Sequence, residues 1–174
     1  MELHDDPFVL RPWREDDEDA VYVACQDPET LRWLPALPRP YTRGDARAFV
    51  TDALGLGPHQ YAITEQGNVV GSIGLSVGKY EAGYIGYWCI PEVRRRGITT
   101  RATQRVCRYA FDDLRLERLA LTTDVENHAS QRVAEKVGFR REGVLRSHMR
   151  HPEGPRRDSV LFSMLPGELR QLSQ

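Results

Sequence analysis

The chemically most informative stretch of the chain is a basic turn that contains glycine, Arg94-Arg95-Arg96-Gly97-Ile98-Thr99. Free backbone N–H groups at the start of a helix, aided by the helix dipole, form a site for anions such as phosphate. Gly97 has no Cβ atom, so an anion can approach the backbone closely at that position. Taken alone, these six residues are equally compatible with a solvated basic loop, so the flanking elements must distinguish the two interpretations.

The residues on either side of the turn predict a strand that leads into a helix. The preceding run, Gly83–Ile90, is rich in the aromatic and β-branched residues that strands prefer. After the turn, Ala102, Val106, Tyr109 and Ala110 recur at the spacing of one helix face. The turn therefore opens a helix, which favours the phosphate-binding interpretation.

The rest of the chain predicts alternating strands and helices around this unit. Asp16 and Asp17 offer N-caps for an early helix, and Gln66-Gly67-Asn68 is a hairpin signal between two strands. Together with the strand before the basic turn, that hairpin predicts an antiparallel meander. The predicted elements are a strand at Phe8–Arg11, a helix ending at Ala24, a short piece after Pro28, a helix from Thr42 through Ala53, strands at Tyr61–Thr64, Val69–Leu75 and around Trp88, a helix at about 97–112, a strand at about 117–124, a helix at about 128–137 ended by Gly138, and two final strands joined at Pro152–Pro155.

Composition is that of one globular domain spanning residues 1–174, with its core at about 8–165. A formal net charge of -1 provides no overall field for nucleic acid or for an anionic membrane. No apolar run reaches the roughly 18 residues of a membrane helix, and the first residues do not resemble a signal peptide, so we expect a cytoplasmic protein. Three distant cysteines, without a C-x-x-C pair, predict neither a disulfide framework nor a metal site.

Arg94-x-x-Gly97-x-Thr99 resembles the signature Gln/Arg-x-x-Gly-x-Gly/Ala of the Gcn5-related N-acetyltransferases (GNAT), which transfer an acetyl group from acetyl-coenzyme A. Other segments resemble the branch that includes ribosomal-protein N-terminal acetyltransferases. These segments are Ile85–Trp88, Asn127–Ser130, Val133–Phe139, Glu142-Gly143 and Asp158–Leu161. The resemblance implies an α+β GNAT fold, with a mixed, mostly antiparallel sheet of about seven strands flanked by helices and with two strands splayed at the cofactor site.

The resemblance also implies an activity. It indicates an N-acetyltransferase that uses acetyl-CoA as co-substrate, without a metal, and whose primary-amine acceptor, a protein N-terminus or a small amine, attacks the thioester directly. A homodimer is common in this branch. An acyl-CoA-binding module with weak or no catalysis stays open for two reasons. Tyr84 stands where relatives often have Glu, and Thr99 replaces the Gly or Ala of the signature. A Walker-type nucleotide binder is disfavoured because its glycine motifs are absent.

By the same resemblance, pantetheine lies against the end of the Trp88 strand, where the backbone N–H of Cys89 or Ile90 faces the thioester oxygen. The N–H groups from Arg95 to Thr99 hold the pyrophosphate, and arginine side chains add charge. The expected cofactor-binding residues are Cys89, Ile90, Arg94, Arg95, Arg96, Gly97, Ile98, Thr99, Asn127 and Ser130.

Catalytic roles rest on fewer signals. Asn127 is suited to bind the pantetheine amides, to cap the following helix, or to do both. The resemblance implies that Ser130 hydrogen-bonds the cofactor sulfur and is the proton donor to it, and the alternative is a surface helix serine. His148 is either a general base or a structural histidine, and a water-mediated route for the amine proton is equally compatible with the sequence. His148 and His151 lack further ligands nearby, so they do not predict a metal pair.

Overall fold

The computed structural model describes residues 1–52 and 55–171. Ala53, which the sequence pattern assigns to the third helix, lies outside the described residues. Two short 3-10 turns, Glu15–Asp17 and Pro91–Val93, precede helices. The other elements are β1 (Leu3–Asp5), β2 (Phe8–Pro12), α1 (Glu18–Ala24), α2 (Pro28–Trp33), α3 (Arg43–Val50), β3 (Gln60–Glu65), β4 (Asn68–Val77), β5 (Ala82–Cys89), α4 (Ile98–Asp112), β6 (Arg118–Asp124), α5 (His128–Val137), β7 (Arg140–Met149) and β8 (Arg157–Met164).

Eight strands form one sheet in the order β1-β2-β3-β4-β5-β6-β8-β7. Strands β5 and β6 pair in parallel, and the other neighbouring pairs are antiparallel. The predicted mixed, mostly antiparallel sheet and the β3-β4-β5 meander are thereby confirmed. The predicted number of about seven strands omits β1, because three residues are too few to show a two-residue alternation.

The two parallel strands separate along their length. They are paired only where Ala82–Tyr84 faces Arg118–Ala120, although β5 continues to Cys89 and β6 to Asp124. A Cβ atom on Gly83, inside the paired part, would lie 2.7–2.9 Å from leucine methyl groups on three sides. Close packing thus holds the strands together at Gly83 and leaves a gap beyond it, as the expected splayed strands require.

The sheet separates two apolar layers. On one face, α4 and α5 contribute to the main core, which includes Val106, Ala134 and Phe162. A smaller core joins α1 and α3 through Val21 and Ala46. Adjacent side chains of a strand point to opposite faces. On β5, Ile85 belongs to the main core, and Trp88 stacks on Trp13, which packs against the smaller core. Within the described residues, no helix combines the length and apolarity of a membrane span.

Helix ends agree with the sequence at two of three positions. Thr42 accepts a hydrogen bond from the Asp45 N–H at 3.2 Å, so it caps α3 as predicted. Gly138 ends α5 in the left-handed region, with φ 118°. The prediction that Asp16 or Asp17 caps α1 is wrong, because α1 has no side-chain cap and the Asp17 carboxylate instead binds the guanidinium of Arg11.

Candidate active site

A cleft of about 160 Å³ occupies the gap between the splayed strands. Its walls come from β5, β6, the start of α5, the end of α2 and the β7–β8 hairpin. The residues that line the cleft include Gly86, Tyr87, Asp124, Asn127, Ser130, His151, Arg157, Arg32 and Trp33. The end of the β5–β6 pairing and the cavity therefore lie at the same place.

Tyr87 and Ser130 form a hydrogen-bonded pair in this cleft. The Tyr87 hydroxyl lies 3.0 Å from the Ser130 hydroxyl and donates to the Ser130 carbonyl oxygen at 3.2 Å. Burial raises the pKa of Tyr87, so the phenol stays protonated at neutral pH. Because the phenolic proton goes to the carbonyl oxygen, the Ser130 hydroxyl donates to the Tyr87 oxygen in the 3.0 Å contact, and the neutral phenol thereby orients the serine.

Asn127 has the capping role that the sequence allowed. Its side-chain Oδ1 accepts a hydrogen bond from the Ser130 N–H at 3.1 Å at the start of α5. Capping occupies the oxygen only, so the amide NH₂ remains a donor for a group in the cleft. The same hydrogen bond also fixes the backbone of Ser130 relative to the cleft.

The basic turn begins α4, as predicted. Gly97 occupies the N-cap position with φ 80°, a conformation that suits glycine, and a Cβ atom there would meet no atom within 4 Å. In the described chain, the backbone N–H groups of Arg95, Gly97, Ile98 and Thr99 donate to no protein acceptor. These four donors and the adjoining open space fit a phosphate group, and the helix dipole favours its negative charge.

The other N–H group expected to bind the pyrophosphate, that of Arg96, is already engaged. It donates to the Val93 carbonyl at 3.4 Å, and the Arg96 guanidinium forms two hydrogen bonds with Glu65, at 3.0 and 2.6 Å. Arg95 is exposed and forms no ion pair with any described residue. Of these two arginines, Arg95 is the one whose side chain is available to an anion.

Arg94 connects the turn to α2 instead of presenting its charge to the expected phosphate position. Its guanidinium pairs with Asp27 and with Glu29, the latter at 2.7 Å, and donates to Thr30 at 3.2 Å. Its N–H donates to the Pro91 carbonyl at 3.1 Å. The expectation of a phosphate contact from Arg94 is therefore not supported, because both of its donor groups are used within the protein.

At the end of β5, the structure distinguishes the two expected thioester donors. The Ile90 N–H donates to the Val70 carbonyl at 3.0 Å, so the expectation that it faces the thioester is wrong. Successive N–H groups in a strand point to opposite sides, so the Cys89 N–H is directed away from β4 and toward the gap. Cys89 is the remaining backbone donor for a carbonyl oxygen held there.

His148, the expected base, lies outside the cleft. Its Nδ1 is 3.1 Å from the hydroxyl of Ser159, and the neighbouring Met149 faces the cleft in its place. Among the described residues that line the cleft are one carboxylate, Asp124 at the end of β6, and one imidazole, His151 in the β7–β8 hairpin. Burial, and then the charges of Arg157 and Arg39, lower the pKa of His151.

A family model described as an acetyltransferase (GNAT) domain matches residues 8–140, which is more than half of the chain. The chain belongs to the GNAT acetyltransferase family. Similar proteins include the uncharacterized N-acetyltransferase YoaA of Bacillus subtilis, 27% identical over 94% of this chain and 96% of YoaA. YdaF of Bacillus subtilis, a provisionally named ribosomal N-acetyltransferase, is 38% identical over 48% of this chain and 45% of its own.

A solved structure extends this similarity to almost the whole fold. Mycobacterium smegmatis RimJ, in complex with CoA-disulfide, superposes with a TM-score of 0.81 at 26% identity, covering 94% of this chain and 84% of RimJ. Together with the family match, these relatives show that this acetyltransferase is an enzyme of the N-acetyltransferase type.

The sequence analysis assigned no role in the cleft to two residues of this acetyltransferase, Asp124 and His151. Asp124 forms a hydrogen bond with the Glu126 N–H at 2.8 Å and lies 3.4 Å from Arg157 Nη1. His151 accepts a hydrogen bond from the Glu153 N–H at 3.3 Å through Nδ1, which places its ring proton on Nε2. A carboxylate following a strand, three residues before an Asn N-cap, is the local feature that could have indicated Asp124.

Proposed function

We propose that this enzyme transfers the acetyl group of acetyl-CoA to a primary amine by direct attack on the thioester, and that the amine is the N-terminus of a peptide or protein. The observation that carries the proposal is the Tyr87–Ser130 pair, 3.0 Å apart in a cleft between splayed strands. A protein acceptor is supported by the similarity to YdaF, whose name refers to ribosomal acetylation.

The cofactor would be held along β5 and at the start of α4. Free N–H groups of Arg95, Gly97, Ile98 and Thr99 bind the pyrophosphate, and the Arg95 guanidinium adds charge. The Asn127 amide NH₂ donates to a pantetheine carbonyl. These contacts bring the thioester to the end of β5, beside the strand gap.

Three groups of the protein then act on the reacting atoms. The Cys89 N–H donates to the thioester oxygen, which gains negative charge as the amine nitrogen bonds to the carbonyl carbon. The carbon–sulfur bond breaks, and Ser130 gives its proton to the departing thiolate. Water returns a proton to the serine oxygen, so that the proton lost by the amine is the one gained overall by the sulfur, and Tyr87 keeps the serine in place. Asp124 hydrogen-bonds the incoming amine, whose proton leaves through water, so His148 has no part in the step.

Release of free thiol from acetyl-CoA, measured with a panel of N-terminal peptides and small amines, tests this proposal. We expect sustained turnover with at least one peptide and a product heavier by one acetyl group in mass spectrometry. A variant with Gly97→Asp is the matched control, because it alters cofactor binding and leaves the acceptor side intact. Coenzyme A binding without turnover of any amine would favour the binding-module alternative.

A further inference from the structure

A second, more open cavity adjoins the catalytic cleft on the side where an acceptor would enter. It measures about 740 Å³ and shares Arg32, His151 and Arg157 with the cleft. We call this cavity, bounded by α2, Arg39 and the β7–β8 hairpin, the acceptor groove. Among its described lining residues, Glu153 is the single carboxylate beside three arginines.

Carboxylates face these arginines. Arg32 pairs with Glu126 at 3.0 Å and Arg39 with Glu153 at 2.9 Å, and both carboxylates are largely exposed. Water weakens the attraction within such exposed pairs, so a carboxylate from outside can compete for the arginines.

Two of these arginines have hydrogen-bonding capacity that the protein does not use fully. Arg39 Nε is buried without a hydrogen-bond partner in the described structure, although its terminal nitrogens bind Glu153 and the Leu31 carbonyl. Arg157 is 3.4 Å from Asp124, longer than the about 2.7–2.9 Å of a good charge-assisted hydrogen bond. Guanidinium groups with spare donors suit a carboxylate, which accepts two parallel hydrogen bonds.

The pKa of His151 responds to the positive charges of the same arginines. After burial, the charges of Arg157 and Arg39 are the next largest effects that lower its pKa, and they outweigh the opposing effects of Glu153 and Asp124. With Nδ1 occupied by the Glu153 N–H, the neutral ring presents Nε2–H as a donor. A donor at the junction of groove and cleft adds to the preference for an acceptor group of negative charge.

We propose that the acceptor is a peptide with acidic side chains at its second and third positions, which bind in the acceptor groove while the N-terminal amine meets Asp124. This inference rests on the proposed function, because the amine must reach the cleft. The groove favours a peptide over a free amino acid, since it adds a volume of about 740 Å³ next to the cleft, more than one amino-acid residue fills.

Binding of three fluorescent octapeptides that differ only at positions two and three tests the inference. Those positions hold glutamate, glutamine or lysine, and anisotropy is measured with the enzyme saturated with coenzyme A. We expect the glutamate peptide to bind about tenfold more tightly than the glutamine peptide at low salt, and the difference to shrink as salt increases. Equal affinities would overturn the inference, as would free glutamate competing as strongly as the glutamate peptide.

Substitutions of groove arginines test whether the preference for the glutamate peptide arises in the acceptor groove. Arg32→Gln and Arg157→Gln together should bring the ratio of glutamate to glutamine affinity close to one, whereas Arg108→Gln should leave it unchanged. Arg108 is exposed on α4 and lines neither cavity. Arg32, which is largely exposed, also provides a variant with little risk to folding, Arg32→Glu, which should reduce or reverse the preference. A preference that survives all these variants would overturn the inference.

Turnover measurements with the three peptides distinguish a failure of this inference from a failure of the proposed function. Acetylation of all three peptides with equal kcat/KM would leave the function standing and refute the acidic preference. Absence of thiol release with every amine would refute the function, and the measured affinities would still decide whether the groove selects acidic peptides.

Discussion

The phenol of Tyr87 on β5 and the hydroxyl of Ser130 on α5 lie 3.0 Å apart, although 43 residues separate them in the chain. The Tyr87 hydroxyl also donates to the Ser130 carbonyl oxygen, which can only accept. Since that bond uses the phenolic proton, the Ser130 hydroxyl is the donor in the 3.0 Å contact, and Tyr87 holds the serine proton until a stronger acceptor enters the cleft. Tyr87 therefore orients the group that we propose as the proton donor.

Replacing Ser130 with alanine tests that role. We expect Ser130→Ala to lower kcat by about a hundredfold, the lower range for loss of a general acid. The Kd of acetyl-CoA should change by less than about tenfold, because the variant loses at most one hydrogen bond to the cofactor. Thiol-release kinetics give kcat, and titration calorimetry gives Kd.

Tyr87→Phe is the companion variant, because it keeps the ring in place and removes only the hydroxyl. It should lower kcat by about tenfold, since Ser130 loses its orienting partner and keeps its proton. Wild-type kcat in Ser130→Ala would remove this serine from the chemistry.

Acetyl-CoA binding should depend on charge at Gly97. Gly97→Asp places a carboxylate beside the free N–H groups of the turn, where the phosphates are proposed to lie. We expect the Kd of coenzyme A to rise by about a hundredfold or more, because like charges repel strongly in a partly desolvated site. Titration calorimetry provides the measurement.

Gly97→Asn separates charge from backbone strain. Both substitutions impose a side chain at φ 80°, and Asn and Asp tolerate this left-handed region similarly. The Asn variant should therefore bind coenzyme A at least tenfold more tightly than the Asp variant, by about the effect of one close charge. Equal affinities for the two variants would show that the phosphates lie elsewhere.

The fold was predictable from sequence wherever the decisive contacts are local. The start of α4 at Gly97, the cap at Thr42 and the end of α5 at Gly138 each depend on residues within one turn of the chain. The side-chain cap at Asp17 failed because Arg11, six residues earlier on β2, competes for the same carboxylate. Side-chain competition of this kind leaves no periodic signal.

Local sequence patterns predicted only the contiguous part of the candidate site, whereas Asn127 and Ser130, which line the cleft, were expected from the family resemblance. The basic turn is a single segment, so its position at a helix start followed from the flanking patterns. Asp124, His151 and Arg157 come together because the β7–β8 hairpin folds over the end of β6, which no local pattern encodes. The same reason explains Arg94, whose partners Asp27 and Glu29 are more than 60 residues away.

Replacing either of two β5 glycines with alanine should change the stability of the protein to different degrees. A Cβ atom at Gly83 would lie 2.7 Å from a Leu75 methyl group and 2.8 Å from a Leu119 methyl group, whereas one at Gly86 would meet nothing within 4 Å. We expect Gly83→Ala to reduce the free energy of unfolding by about 1–3 kcal/mol through overpacking. Urea unfolding, monitored by circular dichroism, measures the change.

Gly86→Ala is the matched control for stability, and it also probes the cleft. It should leave the free energy of unfolding within about 0.5 kcal/mol of the wild type, because the added methyl group meets open space. Since Gly86 lines the cleft, the acceptor KM should rise while the Kd of acetyl-CoA stays unchanged. A larger loss of stability at Gly86 than at Gly83 would contradict the proposed packing at the strand junction.

The ion pair between Arg11 and Asp17 should contribute to stability in a pH-dependent way. Their side chains are only 9% and 7% exposed and share two hydrogen bonds of 2.7 Å. Asp17→Asn leaves the Arg11 charge buried without a counter-ion, so the free energy of unfolding should fall by about 3–5 kcal/mol at pH 7. Urea unfolding at pH 7 provides the measurement.

The direction of the pKa shift of Asp17 determines how its contribution to stability changes with pH. Burial would raise the pKa of Asp17, but the hydrogen bonds from Arg11 and from the Arg14 N–H lower it overall from its ordinary 3.8. A carboxyl group with a lower pKa when folded stabilises the protein above the unfolded pKa, and this contribution is lost as pH falls through the folded value. The difference in the free energy of unfolding between wild type and Asp17→Asn should therefore be constant from pH 7 to about 5 and shrink below about 4.

Asp19→Asn, which alters an exposed pair with Arg43, should show little effect at either pH. A difference that persists undiminished at pH 3 would mean that the Asp17 charge is not what stabilises this part of the fold.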